Sequence, residues 1–348
     1  MIKRFEKIYV RLSDDKSKDI FEKRLMYSLT GDNKYLFSLG QEYERQVLQS
    51  NEWKSLYEKL KSSGEKIVLY SAGYWGRELL LHTKDIPWKY VVDKSPKDKE
   101  ICSVPIINLE EFLQLDKDDY TVVISSRVYY EEIRDELVGN GISESRIVNG
   151  ATLFDMSEGK QYFDLAELPH NCENEVFVDV GCYDGLSATF FNDWCDGKGF
   201  SYCFEPDRTN IERIHRILKN KGITSYNLID KGVWSTAGKL GFVSTGNSVS
   251  HVSEEENADS IDVVSLDSVL IDKSVTFIKM DIEGAELEAL RGAKKIIEEQ
   301  KPKLAICVYH KPEDIWEIPE LILSYNKDYK FYLRHYSYKD NETVLYAF

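Results

Sequence analysis

Three acidic residues lie close together in the segment FIKMDIEGAELEALRGA, Phe277 to Ala293. Asp281 ends an apolar run with strand character, and Glu283 and Glu286 follow at the start of a predicted helix. Charge at the end of a buried strand is costly unless it has a partner. Two roles fit these carboxylates: proton transfer during a reaction, or capping and dipole stabilisation at a helix N-terminus.

His310 is the second candidate for proton transfer, in the segment CVYHKPED at the end of the next predicted strand. An imidazole titrates near neutrality, whereas a carboxylate must have its pKa raised by burial to act as a base there. We therefore predict Asp281, His310 and Glu283 as catalytic residues. The acids also permit Mg²⁺ binding, but helix capping accounts for them more simply, so we predict no metal site.

A glycine turn precedes this segment in VFVDVGCYDGLSATFF, where a predicted strand ends in Asp179 and Gly181 and Gly185 open a helix. Such a turn lets the backbone approach a ligand and points helix N–H groups at it. The spacing G-x-x-x-G lacks the third glycine of the dinucleotide fingerprint, which favours a ligand without a pyrophosphate. A plain strand-to-helix turn remains the alternative.

Glu205 ends the next predicted strand, in CFEPD, at the position where an acid accepts hydrogen bonds from ribose hydroxyls. Lys231, Gly232 and Val233 follow the third strand, in LIDKGVWS, where they would line a cleft at the carboxyl edge of the sheet. An exposed strand-end carboxylate and a simple turn are the respective alternatives.

The elements that position these residues alternate between strand and helix patterns. We predict a helical lead-in over residues 1–64, a small parallel Rossmann-like α/β domain over 65–150, a polar linker over 151–175, and a second α/β domain over 176–348. The second domain is predicted to hold a parallel sheet with an antiparallel C-terminal hairpin.

The composition restricts the partners. A net charge of -15 over 348 residues argues against nucleic acid, which is bound by clustered Lys and Arg. No stretch reaches the length of a membrane helix, and the six cysteines form no C-x-x-C pair. We predict a cytoplasmic protein with reduced thiols; self-association is left open.

The C-terminal portion, roughly residues 174–348, resembles the FkbM-type S-adenosylmethionine-dependent methyltransferases. The resemblance lies in the motifs FVDVGCYDG, FEPD, GVWS, VVSLDSVL, IKMDIEGAELEALRGA, VYHKPEDIWEIPELI and ETVLYA. It implies a class I methyltransferase fold and methyl transfer to a hydroxyl of a small-molecule or glycan acceptor, such as a sugar or a polyketide-type compound.

The resemblance also implies the cofactor contacts. Asp179, Gly181 and Gly185 would hold the methionine end of S-adenosylmethionine, Glu205 the ribose, and Lys231 to Val233 the adenine side. The predicted cofactor-binding set also includes Cys182, Tyr183 and Pro206. Tyr183 departs from the small or amide residue usual at its position in the family.

A second glycine turn lies in the first α/β domain, in YSAGYWGRE, with Gly73, Gly76 and Arg77, and Asp93 ends the next strand. This segment and VVDKS resemble the small Rossmann-like domains that precede sugar-modifying enzymes. The turn fits a nucleotide or nucleotide-sugar, although a scaffold role is favoured. A nucleotide-sugar oxidoreductase or epimerase centred here, and a non-catalytic glycan-assembly module, are therefore the alternative functions.

Overall fold

The computed structural model describes residues 2–63, 66–116, 119–126, 129–151, 161–243, 251–252 and 259–348. The chain forms two compact units, one of residues 1–44 and 159–348 and the other of residues 45–158. This division differs from the predicted boundaries in two places. Residues 1–44 of the predicted lead-in belong with the C-terminal domain, and so does the described part of the predicted linker, from residue 161 onward.

The secondary structure follows the predicted alternation. The helices are α1 (Ile2–Tyr9), α2 (Asp15–Thr30), α3 (Lys34–Gln49), α4 (Asn51–Ser62), α5 (Tyr74–His82), α6 (Leu109–Leu113), α7 (Tyr130–Gly139), α8 (Leu186–Trp194), α9 (Arg208–Asn220), α10 (Leu266–Leu270), α11 (Glu286–Arg291), α12 (Lys294–Gln300) and α13 (Asp314–Tyr325). The strands are β1 (Ile67–Tyr70), β2 (Trp88–Asp93), β3 (Glu100–Ile101), β4 (Val104–Asn108), β5 (Thr121–Ile124), β6 (Ile147–Asn149), β7 (Val176–Val180), β8 (Phe200–Phe204), β9 (Tyr226–Ile229), β10 (Gly232–Val233), β11 (Gly238–Val243), β12 (His251–Val252), β13 (Asp259–Val264), β14 (Phe277–Met280), β15 (Lys303–Cys307), β16 (Phe331–His335) and β17 (Thr343–Ala347).

The larger unit is built on a seven-stranded sheet with the order β16-β17-β15-β14-β7-β8-β9. Strand β17 runs antiparallel to both β15 and β16, and the other neighbouring strands are parallel. The chain therefore forms the predicted Rossmann-like sheet with an antiparallel C-terminal hairpin. Because β7, β8 and β14 are parallel neighbours, their carboxyl ends lie at one edge of the sheet, where open α/β sheets bind ligands.

The two faces of this sheet bury different side chains. Phe177 pairs with Phe277 across β7 and β14, and Phe163 packs edge-on against both rings. Val178 and Ile278, one residue further along, point to the opposite face and belong to the main aliphatic core. Phe163 thus shows that part of the predicted linker is packed against the sheet.

The segment between α1 and α2 covers the edge of the sheet. Leu12 bridges Phe331 of β16, whose N–H donates to the carbonyl of Arg11 at 2.9 Å. Asp14 then forms an ion pair with Arg334 of the same strand at 2.6 Å. An uncovered edge strand presents unpaired backbone groups, so the N-terminal segment completes the fold of this unit.

Two further sheets lie in the part of the chain that the structure describes. In the larger unit, β10, β13, β11 and β12 form a four-stranded sheet in that order. In the smaller unit, the strands are ordered β3-β4-β2-β1-β5-β6, with β3 antiparallel to β4 and the remaining pairs parallel.

Within the described part of the chain, no helix is both long enough and apolar enough to cross a lipid bilayer.

Candidate functional site

The glycine turn after β7 packs directly on the residue that ends β14. Gly181 has φ +77, and a Cβ at this position would lie 2.1 Å from the carbonyl oxygen of Asp281. The backbone N–H of Asp281 donates to the carbonyl of Val180 at 3.2 Å. The two motifs singled out in the sequence are therefore contiguous at the carboxyl edge, and a larger residue than glycine does not fit at position 181.

Asp179 contacts this turn through Lys279. Its carboxylate is buried and lies 3.0 Å from the Nζ atom of Lys279 on β14. Lys279 also donates to the carbonyl of Gly181 at 2.6 Å, and the hydroxyl of Ser187 donates to the other oxygen of Asp179. Sequence reasoning missed Lys279, although a single lysine within the apolar run FIKM was a signal that a buried partner exists.

Glu205 lies beside the same turn at the end of β8. One carboxylate oxygen accepts from the backbone N–H of Tyr183 at 3.0 Å, and the other accepts from Asp207 and Asn210. The side chain is buried, and this burial raises the pKa of Glu205 to about 7 although the hydrogen bonds lower it. The structure thus joins two predicted cofactor motifs, the glycine turn and the acid after the second strand.

The other predicted cofactor residues near the turn are Cys182, Tyr183, Gly185 and Pro206, and they differ in burial and contacts. Cys182 is buried in a small apolar cluster with Cys203, and burial raises the pKa of its thiol well above the usual value. Tyr183 has φ +48 and its ring faces the guanidinium of Arg213 at 5.2 Å. Gly185 has φ +81 and precedes α8, and Pro206 is half-buried after Glu205.

The predicted adenine segment is divided between two environments. Gly232 and Val233 form β10, which pairs with β13 in the four-stranded sheet. Val233 is buried in the main core, so its side chain has a packing role. Lys231 precedes this strand and is half-buried. Their contact with a cofactor stays a prediction.

Asp281 is held by two tyrosines. The hydroxyl of Tyr162 donates to one carboxylate oxygen at 3.0 Å, and the hydroxyl of Tyr309 donates to the other at 3.1 Å. Burial raises the pKa of Asp281, but the charges of His310 and Lys279 and the Tyr162 hydrogen bond outweigh it, so the net pKa is lowered. This carboxylate is therefore ionised at neutral pH.

His310 lies among three carboxylates. Its Nδ1 atom is 2.9 Å from Glu286, and its Nε2 atom is 3.4 Å from Asp281 and 3.6 Å from Glu283. Burial lowers the pKa of His310, but the contact with Glu286 and the three negative charges raise it to about 9. The expectation that this imidazole titrates near neutrality is therefore corrected: it carries a proton at pH 7.

The capping role expected for Asp281 is also corrected. Helix α11 begins at Glu286, its N-cap residue is Ala285, and no side chain of the described residues makes a cap hydrogen bond there. Glu286 lies in the first turn, where a negative charge is favoured, and accepts from the backbone N–H of Ile282 at 2.9 Å. Asp281 is instead turned toward the tyrosines and His310.

Sequence reasoning missed both tyrosines. Tyr162 lies in the segment predicted to be a linker, and Tyr309 precedes His310 directly. Tyr309 also contacts Glu342 at 3.3 Å, and burial raises the pKa of both tyrosines well above the usual value. Both hydroxyls therefore stay protonated and act as hydrogen-bond donors.

In the smaller unit, the predicted second turn and its acid are linked. Asp93 ends β2 and accepts from the backbone N–H of Ala72 at 2.9 Å and from that of Ser95 at 3.0 Å. Gly73 is the N-cap residue of α5.

Comparison with known proteins found a match to the part of the chain that contains the Asp281 cluster. Residues 179–339 match the family model described as the methyltransferase FkbM domain. No curated protein matches the chain.

Solved structures are similar at low sequence identity. The methyltransferase FkbM from Methylobacillus flagellatus KT is 22% identical, with 89% of this chain and 99% of that chain covered and a TM-score of 0.48. Fibrillarin from Aeropyrum pernix, with natively bound S-adenosyl-L-methionine, is 9% identical, with 55% and 73% covered and a TM-score of 0.36. An rRNA methylase from Streptococcus thermophilus is 17% identical, with 50% and 86% covered and a TM-score of 0.34.

Proposed function

We propose, on the premise that residues 179–339 form a methyltransferase FkbM domain, that this protein transfers a methyl group from S-adenosylmethionine to a hydroxyl of a sugar or glycan precursor. The observation that supports the proposal best is the contact between Gly181 and Asp281. In this contact the backbone of the strand-end acid packs against the turn proposed to hold the methionine end of the cofactor.

The residues at the carboxyl edge fit S-adenosylmethionine. Gly181 lets the turn pack against the backbone of Asp281, because a Cβ at this position would lie 2.1 Å from the carbonyl oxygen of Asp281. Glu205 uses one oxygen for two hydrogen bonds and the other for one, from Tyr183. Because a carboxylate oxygen has two acceptor positions, the oxygen facing the turn can also accept from a ribose hydroxyl.

When bound, S-adenosylmethionine supplies an electrophilic methyl group on a positively charged sulfur. The protein has to align the acceptor oxygen with this methyl group and remove the acceptor's proton. Asp281 is the proposed base because its carboxylate is ionised and 22% exposed. Its pKa is lowered and not raised as expected from the sequence for a carboxylate base, so Asp281 is a weak base and its contribution depends on its position. A positioned base contributes about two to four powers of ten in rate.

His310 and the tyrosines support Asp281 in this proposal. Protonated His310 holds one oxygen of Asp281 at 3.4 Å, and Tyr162 holds the other at 3.0 Å. This arrangement fixes the direction of the carboxylate before the acceptor binds. Glu283 has 28% of its side chain exposed and lies at the rim of the cluster, where it is proposed to contact the acceptor.

Calorimetry with S-adenosylhomocysteine, S-adenosylmethionine and NAD tests the proposal. We expect both sulfur compounds to bind and NAD to give no heat. Glu205→Ala should weaken their binding strongly, whereas Asp93→Ala in the smaller unit should leave it unchanged. Binding of NAD alone, or the opposite order of the two variants, would favour the nucleotide-sugar oxidoreductase.

The acceptor class needs a separate measurement. Radiolabelled S-adenosylmethionine would be incubated with panels of sugars, nucleotide-sugars and glycan fragments, with Asp281→Asn as the inactive control. Label transferred to a sugar oxygen by the unaltered protein supports the proposal. Label transferred only to nitrogen or carbon acceptors contradicts it, and absence of transfer with cofactor bound favours the non-catalytic alternative.

A further inference from the structure

We propose that Asp281, Glu286 and His310 form a binding site for one divalent transition-metal ion at the carboxyl ends of β14 and β15. One ligand atom from each residue lies within 4.8 Å of the other two. Geometry, burial and charge support this site.

The distances suit metal coordination. The Nδ1 atom of His310 and the carboxylate of Glu286 are 2.9 Å apart, and neighbouring ligands of an octahedral ion with bonds of about 2.1 Å stand roughly 3.0 Å apart. The Nε2 atom of His310 lies 3.4 Å from Asp281. If Nδ1 binds the ion, Nε2 faces Glu283 at 3.6 Å, a carboxylate outside the proposed ligand set. A carboxylate at the second nitrogen is the usual partner that orients a metal-binding histidine.

Burial gives a second, independent argument. The Glu286 side chain is 0% exposed, and its Oε2 atom has no hydrogen-bond partner within the described ranges. Both ring nitrogens of His310, a side chain 7% exposed, likewise make no hydrogen bond of standard geometry with any described residue. A buried carboxylate oxygen without a donor is costly, and a bound cation removes that cost.

The negative charge around His310 also favours cation binding. The carboxylates of Asp281, Glu283 and Glu286 all lie within 3.6 Å of its ring nitrogens. The nearby cation Lys279 is paired with Asp179. A protonated imidazole offsets one of these three negative charges, whereas a divalent ion that displaces the imidazole proton offsets two.

The donor set indicates the class of ion. A mixture of imidazole nitrogen and carboxylate oxygen suits Mn²⁺, Fe²⁺ or Zn²⁺, whereas Mg²⁺ and Ca²⁺ prefer oxygen alone. Three protein ligands leave coordination positions open for water or an acceptor oxygen. A bound ion would lower the pKa of an acceptor hydroxyl; this use of the ion depends on the proposed function, but its binding does not.

Titration of the full chain with Mn²⁺, without cofactor or acceptor, tests the site. Electron paramagnetic resonance and calorimetry measure the binding. We expect one Mn²⁺ per chain, displaced by Zn²⁺. Glu286→Gln and Asp281→Asn should each weaken binding by at least about tenfold. Glu288→Gln is the matched control, since Glu288 lies on the same helix but pairs with Arg291, and it should bind as the unaltered chain does.

Two results would overturn the inference. One is the absence of saturable Mn²⁺ or Zn²⁺ binding, in which case protonated His310 alone occupies the cluster. The other is binding that survives in both variants, which would place the ion elsewhere. If Glu286→Gln does not fold, Asp281→Asn decides, because Asp281 is partly exposed. Binding of S-adenosylhomocysteine by the same samples shows separately whether the proposed function holds.

Discussion

Asp179 and Lys279 form a buried ion pair across β7 and β14, with 3.0 Å between the carboxylate and Nζ. The same Nζ atom donates to the carbonyl of Gly181. The pair therefore connects two central strands of the sheet with the turn proposed to bind the cofactor. Burial disfavours the charge on Lys279, but Asp179 and Asp281 outweigh it and raise the pKa of Lys279.

Removing one partner of this pair should destabilise the larger unit. Lys279→Met leaves Asp179 buried without its cation, and we expect a loss of about 3–5 kcal/mol in the free energy of unfolding. The double variant Asp179→Asn/Lys279→Met should lose less than the sum of the single losses. Denaturant titration followed by circular dichroism measures this. Strictly additive losses would show that the pair does not interact.

Gly181 and Gly222 provide a matched comparison for the glycine turn. Both have positive φ, but a Cβ on Gly181 meets the carbonyl of Asp281 at 2.1 Å, whereas a Cβ on Gly222 meets no atom of the described residues within 4 Å. Gly222→Ala should therefore cost only the backbone strain, about 1–2 kcal/mol. Gly181→Ala should cost more and should abolish S-adenosylhomocysteine binding in calorimetry. Equal losses of stability with binding retained would contradict the packing argument.

Local pattern was sufficient to predict the alternation of strands and helices and the parallel sheet with its antiparallel C-terminal hairpin. Asp281 and Glu205 end strands, and their positions follow from where apolar runs stop. The contacts of Asp281 were not predictable in this way, because Tyr162 is 119 residues distant in sequence and lies in a polar segment without periodicity. The contact of Leu12 with the edge strand β16 was not predictable either, because a single β-bridge between distant segments leaves no local sequence pattern.

Glu205 should make cofactor binding depend on pH. Its pKa of about 7 lies above the ordinary value of 4.5, so the carboxyl is protonated below pH 7, and a ribose hydroxyl donates to the ionised form. The dissociation constant for S-adenosylhomocysteine should therefore rise as the pH falls below 7, by up to about tenfold per unit. It should be constant above pH 8.

Calorimetry at pH 6, 7 and 8 in two buffers of different ionisation enthalpy checks this dependence and the expected proton release at pH 6. Glu205→Gln is the control. This variant should bind S-adenosylhomocysteine more weakly, and its dissociation constant should lack the pH dependence that the Glu205 carboxyl causes. Equal dissociation constants at pH 6 and pH 8 for the unaltered chain would show that the ribose does not bind the ionised carboxylate.

Tyr162 and Tyr309 should position Asp281 for catalysis. Tyr162→Phe and Tyr309→Phe each remove one hydrogen bond to its carboxylate, and we expect kcat to fall by about 10- to 100-fold because the base loses its alignment. Affinity for S-adenosylhomocysteine should be unchanged. Tyr329→Phe is the control, since its buried hydroxyl donates to the carbonyl of Pro302 instead. A similar loss of kcat in all three variants would indicate general destabilisation.

The N-terminal segment should be required for the stability of the larger unit. Deleting residues 1–18 removes the carbonyl of Arg11 that pairs with Phe331 and the Asp14 carboxylate that pairs with Arg334. The edge of β16 is then exposed, so we expect a lower Tm and concentration-dependent association in size-exclusion chromatography. Val10→Ser, which changes a 70% exposed side chain in the same segment, should leave both measurements unchanged. An unchanged Tm after the deletion would instead support an independent helical lead-in.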